Sequence, residues 1–210
     1  ADLDYLKHAV RLARQYDFVL CADECYGEIY DRDPPPGILE ACRELDGQPT
    51  HVLVFHSLSK RSSAPGLRSG FVAGDAGLIA KLKMLRNYGG ATLPVPVAQA
   101  SAALWRDEAH VDANRALYRA KFDIADELLG GRYGYRRPGG GFYLWLDVGD
   151  GEAAAAALWE KAGLKVIPGA YLARDDESGA NPGAPYIRIA LVHTPEWVRE
   201  GLERLVAVLG

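Results

Sequence analysis

The sequence has few sulfur-containing residues. Of its 210 residues only three are cysteine, at positions 21, 25 and 42, and one is methionine. An odd number of cysteines without metal-ligand spacing argues against a disulfide framework and against a metal centre. We therefore expect a cytoplasmic protein without a bound metal. We also expect Cys21 and Cys25, which lie beside an apolar strand, to be buried thiols.

Neither charge nor composition points to a nucleic acid or a membrane as partner. The formal net charge is −4, so the chain has no basic field for a phosphate backbone. It contains no run of positive charges for a lipid surface and no apolar run of transmembrane length. With 49% hydrophobic and 25% charged residues, it can build an ordinary globular core. We expect small-molecule partners, no nucleic acid and no membrane.

Short apolar runs alternate with amphipathic segments along the chain. Helical spacing of apolar residues predicts helices over residues 2–16, 76–86, 97–105 and 108–129. Aliphatic and aromatic runs predict buried strands over residues 18–22, 52–55, 71–74, 142–146 and 186–191. Strands that alternate with helices are typical of an α/β fold. A change of composition near the long helix predicts two domains, residues 1–107 and residues 108–210.

The most distinctive stretch, residues 56–70, has one lysine between serine hydroxyls and an arginine further on. It follows the apolar strand at 52–55, and ligands of α/β proteins usually bind at the carboxyl edge of the sheet. Hydroxyls and a guanidinium can bind a phosphate, which makes Ser57, Ser59 and Arg68 candidates. The amine of Lys60 can then form a Schiff base with an aldehyde. The alternative is a solvated surface loop, because short motifs often match by chance.

Two further positions carry a charge on or beside an apolar strand. Asp23 closes the strand at 18–22 and can lie at the same sheet edge as Lys60, or it can be a helix-capping aspartate. Arg188 lies inside the strand at 186–191, where a buried charge needs a partner. A substrate carboxylate bound through two oxygens is one such partner, and a structural salt bridge is the other.

These segments resemble class I/II aminotransferases, the fold-type I enzymes that use pyridoxal 5′-phosphate (PLP). The resemblance rests on Asp-Glu-Cys-Tyr at 23–26, Ser-Leu-Ser-Lys at 57–60, Pro-Gly-Leu-Arg-Ser-Gly at 65–70 and Tyr-Ile-Arg-Ile-Ala-Leu at 186–191. It is nearest to the N-succinyldiaminopimelate aminotransferases, and it departs from the broad pattern at Ser69, where an apolar residue is usual. It implies a PLP-dependent transferase fold of type I: part of a large domain with a mostly parallel sheet, then a C-terminal α+β small domain.

The resemblance also implies a role for each candidate. Lys60 holds the cofactor and acts as general acid and base, while Asp23 faces the ring nitrogen and Tyr26 the phenolic oxygen. The two serines and the arginine of residues 56–70 bind the phosphate. Arg188 binds the α-carboxylate of the substrate.

The implied reaction is transamination between an amino acid and 2-oxoglutarate. N-succinyl-LL-2,6-diaminopimelate, an intermediate of lysine biosynthesis, is the expected amino donor, and Arg61, Arg86 and Tyr88 are candidate contacts for its distal carboxylate. Other aspartate-type aminotransferases and PLP-dependent lyases fit the same motif residues. A non-catalytic domain that binds PLP, or another phosphorylated ligand, is the alternative of a different class.

The resemblance covers only the later part of such an enzyme. The family's glycine-containing phosphate loop, its ring-stacking aromatic residue and its Asn-Pro segment have no counterpart in these 210 residues. We therefore expect the chain to be a fragment with little or no activity alone. We expect the full-length enzyme to be a homodimer.

Overall fold

The computed structural model describes residues 1–90 and 92–210, which form two compact units, Ala1–Arg115 and Ala116–Gly210. The helices are α1 (Leu3–Gln15), α2 (Ile38–Leu45), α3 (Leu58–Arg61), α4 (Ala76–Tyr88), α5 (Val95–Arg106), α6 (Ala109–Leu129), α7 (Gly151–Ala162) and α8 (Pro195–Leu209). The strands are β1 (Leu20–Asp23), β2 (Val52–Ser57), β3 (Gly70–Gly74), β4 (Tyr143–Asp147), β5 (Ile167–Pro168) and β6 (Tyr186–Ala190). Short 3-10 helices span Pro65–Leu67 and Gly169–Leu172.

The first unit contains a three-stranded sheet in the order β1-β2-β3. β1 and β2 are parallel, whereas β2 and β3 are antiparallel. These three strands therefore do not by themselves form the mostly parallel sheet that is expected from the sequence. α1 and α2 pack against the sheet through a small core of apolar residues: Val10, Ile38, Cys42, Val52 and Val54. This packing covers the sheet from one side.

β1 is less buried than its sequence predicts. It begins only at Leu20, and Phe18 and Val19 before it are 44% and 45% exposed. Successive side chains of a strand point to opposite faces, and β1 is an edge strand with one covered face. Cys21 and Asp23 are accordingly exposed, and the expectation of a buried thiol is wrong for Cys21.

Two glycines allow β3 to approach β2 closely. A Cβ atom on Gly70 would lie 2.3 Å from the carbonyl oxygen of His56, and one on Gly74 would lie 2.1 Å from that of Val52. Gly74 also has a positive φ of 139°, which other residues rarely adopt. The pairing of Ser57 with Gly70 therefore requires that residue 70 of β3 has no side chain.

The second unit has an α+β architecture. Its antiparallel sheet has the order β4-β6-β5, and α6, α7 and α8 contribute to its core. The largest fully buried side chains of this core are Phe122, Leu129, Leu144, Leu146, Leu158, Ile187, Leu191 and Leu205. α8 begins at Pro195 after Thr194, and proline suits the first turn because the N–H that it lacks would have no helical partner there.

None of the helices in the described part of the chain combines the length and the apolarity that a membrane span requires.

Gly70→Ala should destabilise the first unit. The added methyl group meets the His56 carbonyl at 2.3 Å, a backbone atom that cannot move aside without opening the β2–β3 pairing. We expect the free energy of unfolding, measured by urea denaturation, to fall by about 2 kcal/mol. Gly66→Ala is the matched control, because a Cβ there meets nothing within 4 Å. Equal stabilities of the two variants would contradict the close approach of the strands.

Candidate cofactor site

The parallel strands β1 and β2 end at one edge of the first sheet. Asp23, the last residue of β1, pairs with Phe55, and the amide of Glu24 donates to the Phe55 carbonyl at 3.0 Å. Two residues further on, β2 ends at Ser57 and α3 begins at once. Residues that follow parallel strands lie at a common edge. The pairing therefore brings the chain after Asp23 next to the helix that carries Lys60.

Ser57 caps the short helix α3. Its Oγ accepts a hydrogen bond from the amide of Ser59 at 3.1 Å, as an N-cap serine does. The hydroxyl oxygens of Ser57 and Ser59 lie 3.0 Å apart, and Leu58 between them is fully buried. The cap and the buried leucine orient the helix and leave Lys60 partly exposed.

Lys60 and Tyr26 are in contact. Nζ of Lys60 lies 5.5 Å from the centroid of the Tyr26 ring, within the range of a cation–π interaction. Tyr26 lies in the turn after β1 and is 37% exposed, so that its ring borders solvent. Two residues that the sequence singled out are thus neighbours.

Asp23 is exposed at the end of β1. The thiol and the backbone amide of Cys25 donate hydrogen bonds to its carboxylate, the amide at 3.1 Å from Oδ1. These bonds, with a smaller contribution from the charge of His56, lower the pKa of Asp23 below its usual value. An ionised carboxylate is the form that stabilises a protonated ring nitrogen.

Cys25 belongs to the same neighbourhood, and it is half-buried where the sequence predicts a buried thiol. Burial and then the adjacent Asp23 carboxylate raise the pKa of the Cys25 thiol to about 11, against the opposing charge of Lys60. Its Sγ also lies 3.9 Å from the Phe55 carbonyl. Its place in the sequence, between Asp23 and Tyr26, was the signal that could have assigned it to the site.

Arg68 ends the 3-10 helix that follows the two serines. Its backbone is left-handed, with φ 50°, and its Nη1 donates to the carbonyl of Pro65 at 2.9 Å. The next residue, Ser69, accepts hydrogen bonds on its carbonyl from the Leu58 amide at 3.1 Å and the Ser57 hydroxyl at 3.2 Å. The loop of Arg68 is therefore tied to the start of α3.

Arg61 is not a surface residue. It is 3% exposed, its Nη1 donates to the Leu104 carbonyl at 3.0 Å and its Nη2 pairs with Glu108. Its guanidinium also lies 5.2 Å from the centroid of the Trp105 ring. These contacts anchor α3 from within, and the expectation that Arg61 contacts a substrate carboxylate is wrong. Tyr88, by contrast, is 91% exposed at the end of α4.

Arg188 lies in the second unit, on the central strand β6. It is opposite Trp145 of β4 and Ile167 of β5, and its guanidinium lies 4.5 Å from the centroid of the Tyr143 ring. In the part of the chain that the structure describes, Arg188 forms no ion pair with a carboxylate, so the salt bridge that the sequence left open is not observed there. A guanidinium that lies over an aromatic ring can still bind two oxygens through its N–H groups.

The side chains at the edge of the first sheet fit PLP. An ionised aspartate, an amine and a phenol match the ring nitrogen, the aldehyde and the phenolic oxygen of this cofactor. The paired hydroxyls of Ser57 and Ser59, with the exposed Arg68 nearby, match its phosphate. Among residues 1–90 and 92–210, no group of histidine, cysteine and acidic side chains is arranged to hold a metal ion.

Comparison with known proteins gives one consistent result. The family model for aminotransferase class I and II matches residues 1–205. The crystal structure of an aminotransferase from Neisseria meningitidis superposes with a TM-score of 0.94 at 45% identity, covering 100% of this chain and 54% of that one. A probable N-succinyldiaminopimelate aminotransferase from Thermus thermophilus gives 0.84 at 28% identity, covering 100% and 55%.

The curated relatives are similar over the same part of their length. The LL-diaminopimelate aminotransferase of Moorella thermoacetica is 32% identical over 219 residues, which is 100% of this chain and 53% of the relative. The chain thus spans about half the length of the curated relatives it matches. These likenesses confirm the PLP-dependent transferase fold of type I expected from the sequence.

Asp23→Asn should raise the reactivity of Cys25. Removing the carboxylate charge removes one cause of the high pKa of the Cys25 thiol, so more thiolate forms although the thiol stays as buried. In a Cys21→Ser background we expect iodoacetamide to modify Cys25 several-fold faster at about pH 9, measured by mass spectrometry. Asp33→Asn, at an exposed aspartate, is the control. Unchanged alkylation in Asp23→Asn would mean that the two side chains are not coupled.

Proposed function

This chain belongs to the aminotransferase class I and II family, and we propose that the whole protein transfers an amino group from an amino acid to a keto acid. The enzymes of this family use PLP. The observation that carries the proposal is the grouping of Asp23, Tyr26 and Lys60 at one sheet edge. An aldehyde-binding amine and an ionised carboxylate at the same sheet edge serve this chemistry and have no evident use in a phosphate-binding domain.

Lys60 is the proposed catalytic residue. PLP, when bound, withdraws electrons from the substrate Cα and makes its proton acidic. The amine of Lys60 would hold the cofactor at its aldehyde group and, when free, would take and return the proton of the substrate Cα. Asp23, whose carboxylate is ionised, would keep the ring nitrogen protonated, and Tyr26 would donate a hydrogen bond to the phenolic oxygen.

The remaining candidates bind anionic groups. The hydroxyls of Ser57 and Ser59 would bind the cofactor phosphate, for which the Ser57 hydroxyl would turn away from the Ser69 carbonyl, and Arg68 would supply a positive charge to it. Arg188 would bind the α-carboxylate of the substrate through two N–H groups, while its Cζ lies 4.5 Å from the centroid of the Tyr143 ring. The absence of an ion pair for Arg188 among the described residues supports this role.

We propose N-succinyl-LL-2,6-diaminopimelate as the amino donor and 2-oxoglutarate as the acceptor, in lysine biosynthesis. Two similarities support this choice. The chain resembles the structure of a probable N-succinyldiaminopimelate aminotransferase from Thermus thermophilus, and it resembles the LL-diaminopimelate aminotransferase of Moorella thermoacetica. Both names describe a diaminopimelate carbon chain. The substrates carry carboxylates at both ends, which an arginine-based site recognises through charge.

Three properties of the whole protein complete the proposal. Residues 1–107 belong to the PLP-binding large domain and residues 108–210 to the small domain. The whole enzyme is a homodimer. The free cysteines favour the reducing cytoplasm.

Lys60→Ala should abolish covalent attachment of PLP. With PLP, the whole protein should show a visible absorption band, and borohydride should fix the cofactor on the peptide that contains Lys60. The variant should lack both, whereas Lys81→Ala, at an exposed lysine of α4, should retain both. A folded wild-type protein with neither signal would exclude the aminotransferase and leave a domain for another phosphorylated ligand.

A donor panel tests the proposed substrate. With 2-oxoglutarate as acceptor, we expect kcat/KM to be higher for N-succinyl-LL-2,6-diaminopimelate than for LL-2,6-diaminopimelate or aspartate. Arg188→Gln should lower kcat/KM about a hundredfold for every donor, because each loses its α-carboxylate contact. Arg132→Gln, at an exposed arginine of the same unit, should not change it. A preference for aspartate indicates a general aspartate-type enzyme, and elimination products indicate a lyase.

A further inference from the structure

The carboxyl end of the Lys60 helix is held by side chains from another helix. α3 has only four residues, so few backbone bonds close its end: the Leu58 carbonyl accepts from Ser62 and Ala64, and the Lys60 carbonyl accepts from Ser63 at 3.5 Å. A helix of one turn is not stable by itself. His110 and Asn114 of α6 meet this end, and because they are four positions apart they share one helix face.

Asn114 uses its whole amide on this end of α3. Nδ2 donates to the carbonyl of Lys60 at 3.3 Å and to that of Arg61 at 3.4 Å. Oδ1 accepts a hydrogen bond from the hydroxyl of Ser63 at 3.2 Å. The two bonds to carbonyls use both N–H groups of the amide. Since one acceptor is the carbonyl of Lys60, Asn114 restrains the peptide group of the lysine itself.

His110 holds the residue at which α3 ends. Its Nε2 lies 2.8 Å from Oγ of Ser62, the C-cap residue, and its Nδ1 lies 2.8 Å from Oδ2 of Asp107. A carboxylate only accepts hydrogen bonds, so Nδ1 carries a proton, and in the neutral ring Nε2 accepts from the Ser62 hydroxyl. The Asp107 carboxylate thereby fixes the orientation of the ring that holds Ser62.

Ser62, His110 and Asp107 contact one another in the same order as the side chains of a Ser-His-Asp hydrolytic triad. They lack the backbone N–H donors that form the oxyanion hole of such a site. Such a site needs free backbone N–H groups beside the nucleophile. The amides of Ser62, Ser63 and Ala64 are all hydrogen-bonded to carbonyls within α3. The three side chains are therefore suited to holding the helix and not to acyl transfer.

We propose that His110 and Asn114 are positioning residues for Lys60, which fix the backbone of α3 so that the amine meets the cofactor aldehyde. The proposal rests on the proposed function, in which Lys60 binds that aldehyde. Ser57 caps the beginning of α3 and the two α6 residues restrain its end, so the amine moves only through the rotations of its own side chain. A fixed backbone raises the effective concentration of the amine at the aldehyde.

The test measures attachment of PLP rather than turnover. The whole protein, freed of cofactor, is incubated with increasing PLP and reduced with cyanoborohydride. Mass spectrometry then measures the modified fraction of Lys60 and of the exposed Lys81 and Lys83 of α4, which report on general lysine reactivity. The variants are Asn114→Asp, which turns donors into a charge facing two carbonyls, Asn114→Ala, and the control Asn87→Asp at an exposed position of α4.

We expect Asn114→Asp to raise the PLP concentration for half-modification of Lys60 about tenfold, the order of magnitude of one lost hydrogen bond. Lys81 and Lys83 should react as in the wild type, and Asn87→Asp should behave as the wild type throughout. Relative to the wild type at the same pH, the deficit of Asn114→Asp should shrink between about pH 7 and pH 4, since a protonated carboxyl donates again. The deficit of Asn114→Ala should not shrink.

The outcomes separate this inference from the proposed function. Wild-type protein in which Lys60 reacts no better than Lys81 overturns the proposed function. Selective modification of Lys60 in the wild type and equally in both Asn114 variants overturns the positioning role alone. If circular dichroism shows that Asn114→Asp has unfolded, the test uses Asn114→Ala instead. Wild-type modification of Lys60 in that variant overturns the positioning role.

Discussion

The parallel pairing of β1 with β2 is the constraint on which the candidate site depends. In this register Asp23 lies beside Phe55, so the turn after β1 and the helix after β2 emerge together. A shift by one residue would turn Asp23 to the face covered by α1 and α2, because side chains alternate along a strand. The buried valines of β2 hold the register from that covered face, where they pack with Val10, Ile38 and Cys42.

A one-turn helix carries Lys60, and the stability of this helix comes from its surroundings. Ser57 caps its first turn, Leu58 is buried beneath it and Arg61 enters the interior to reach Glu108 and the Leu104 carbonyl. α6 then meets its carboxyl end through His110 and Asn114. The result is a rigid backbone with one partly exposed amine, an arrangement that suits a residue whose side chain must move while its Cα does not.

Local patterns in the sequence predicted the parts of this site that depend on local chemistry. The apolar run before Ser57, the hydroxyls around Lys60 and the acidic end of β1 all belong to short contiguous segments, and the structure places them as neighbours. The burial of Arg61 and the exposure of Cys21 were not predictable in this way, because both depend on which element packs against the residue. His110 and Asn114 carry no signal at all, since they are ordinary polar positions on an amphipathic helix.

The high pKa of Cys25 has a consequence for selectivity among nucleophiles. An aldehyde near a thiolate readily forms a thiohemiacetal, and a protonated thiol is a much weaker nucleophile. With a pKa of about 11, Cys25 stays protonated at neutral pH. The Asp23 carboxylate, the proposed partner of a cofactor ring, thus also keeps the neighbouring Cys25 thiol protonated. A carbonyl ligand at this sheet edge is left to the amine of Lys60, without a competing sulfur adduct.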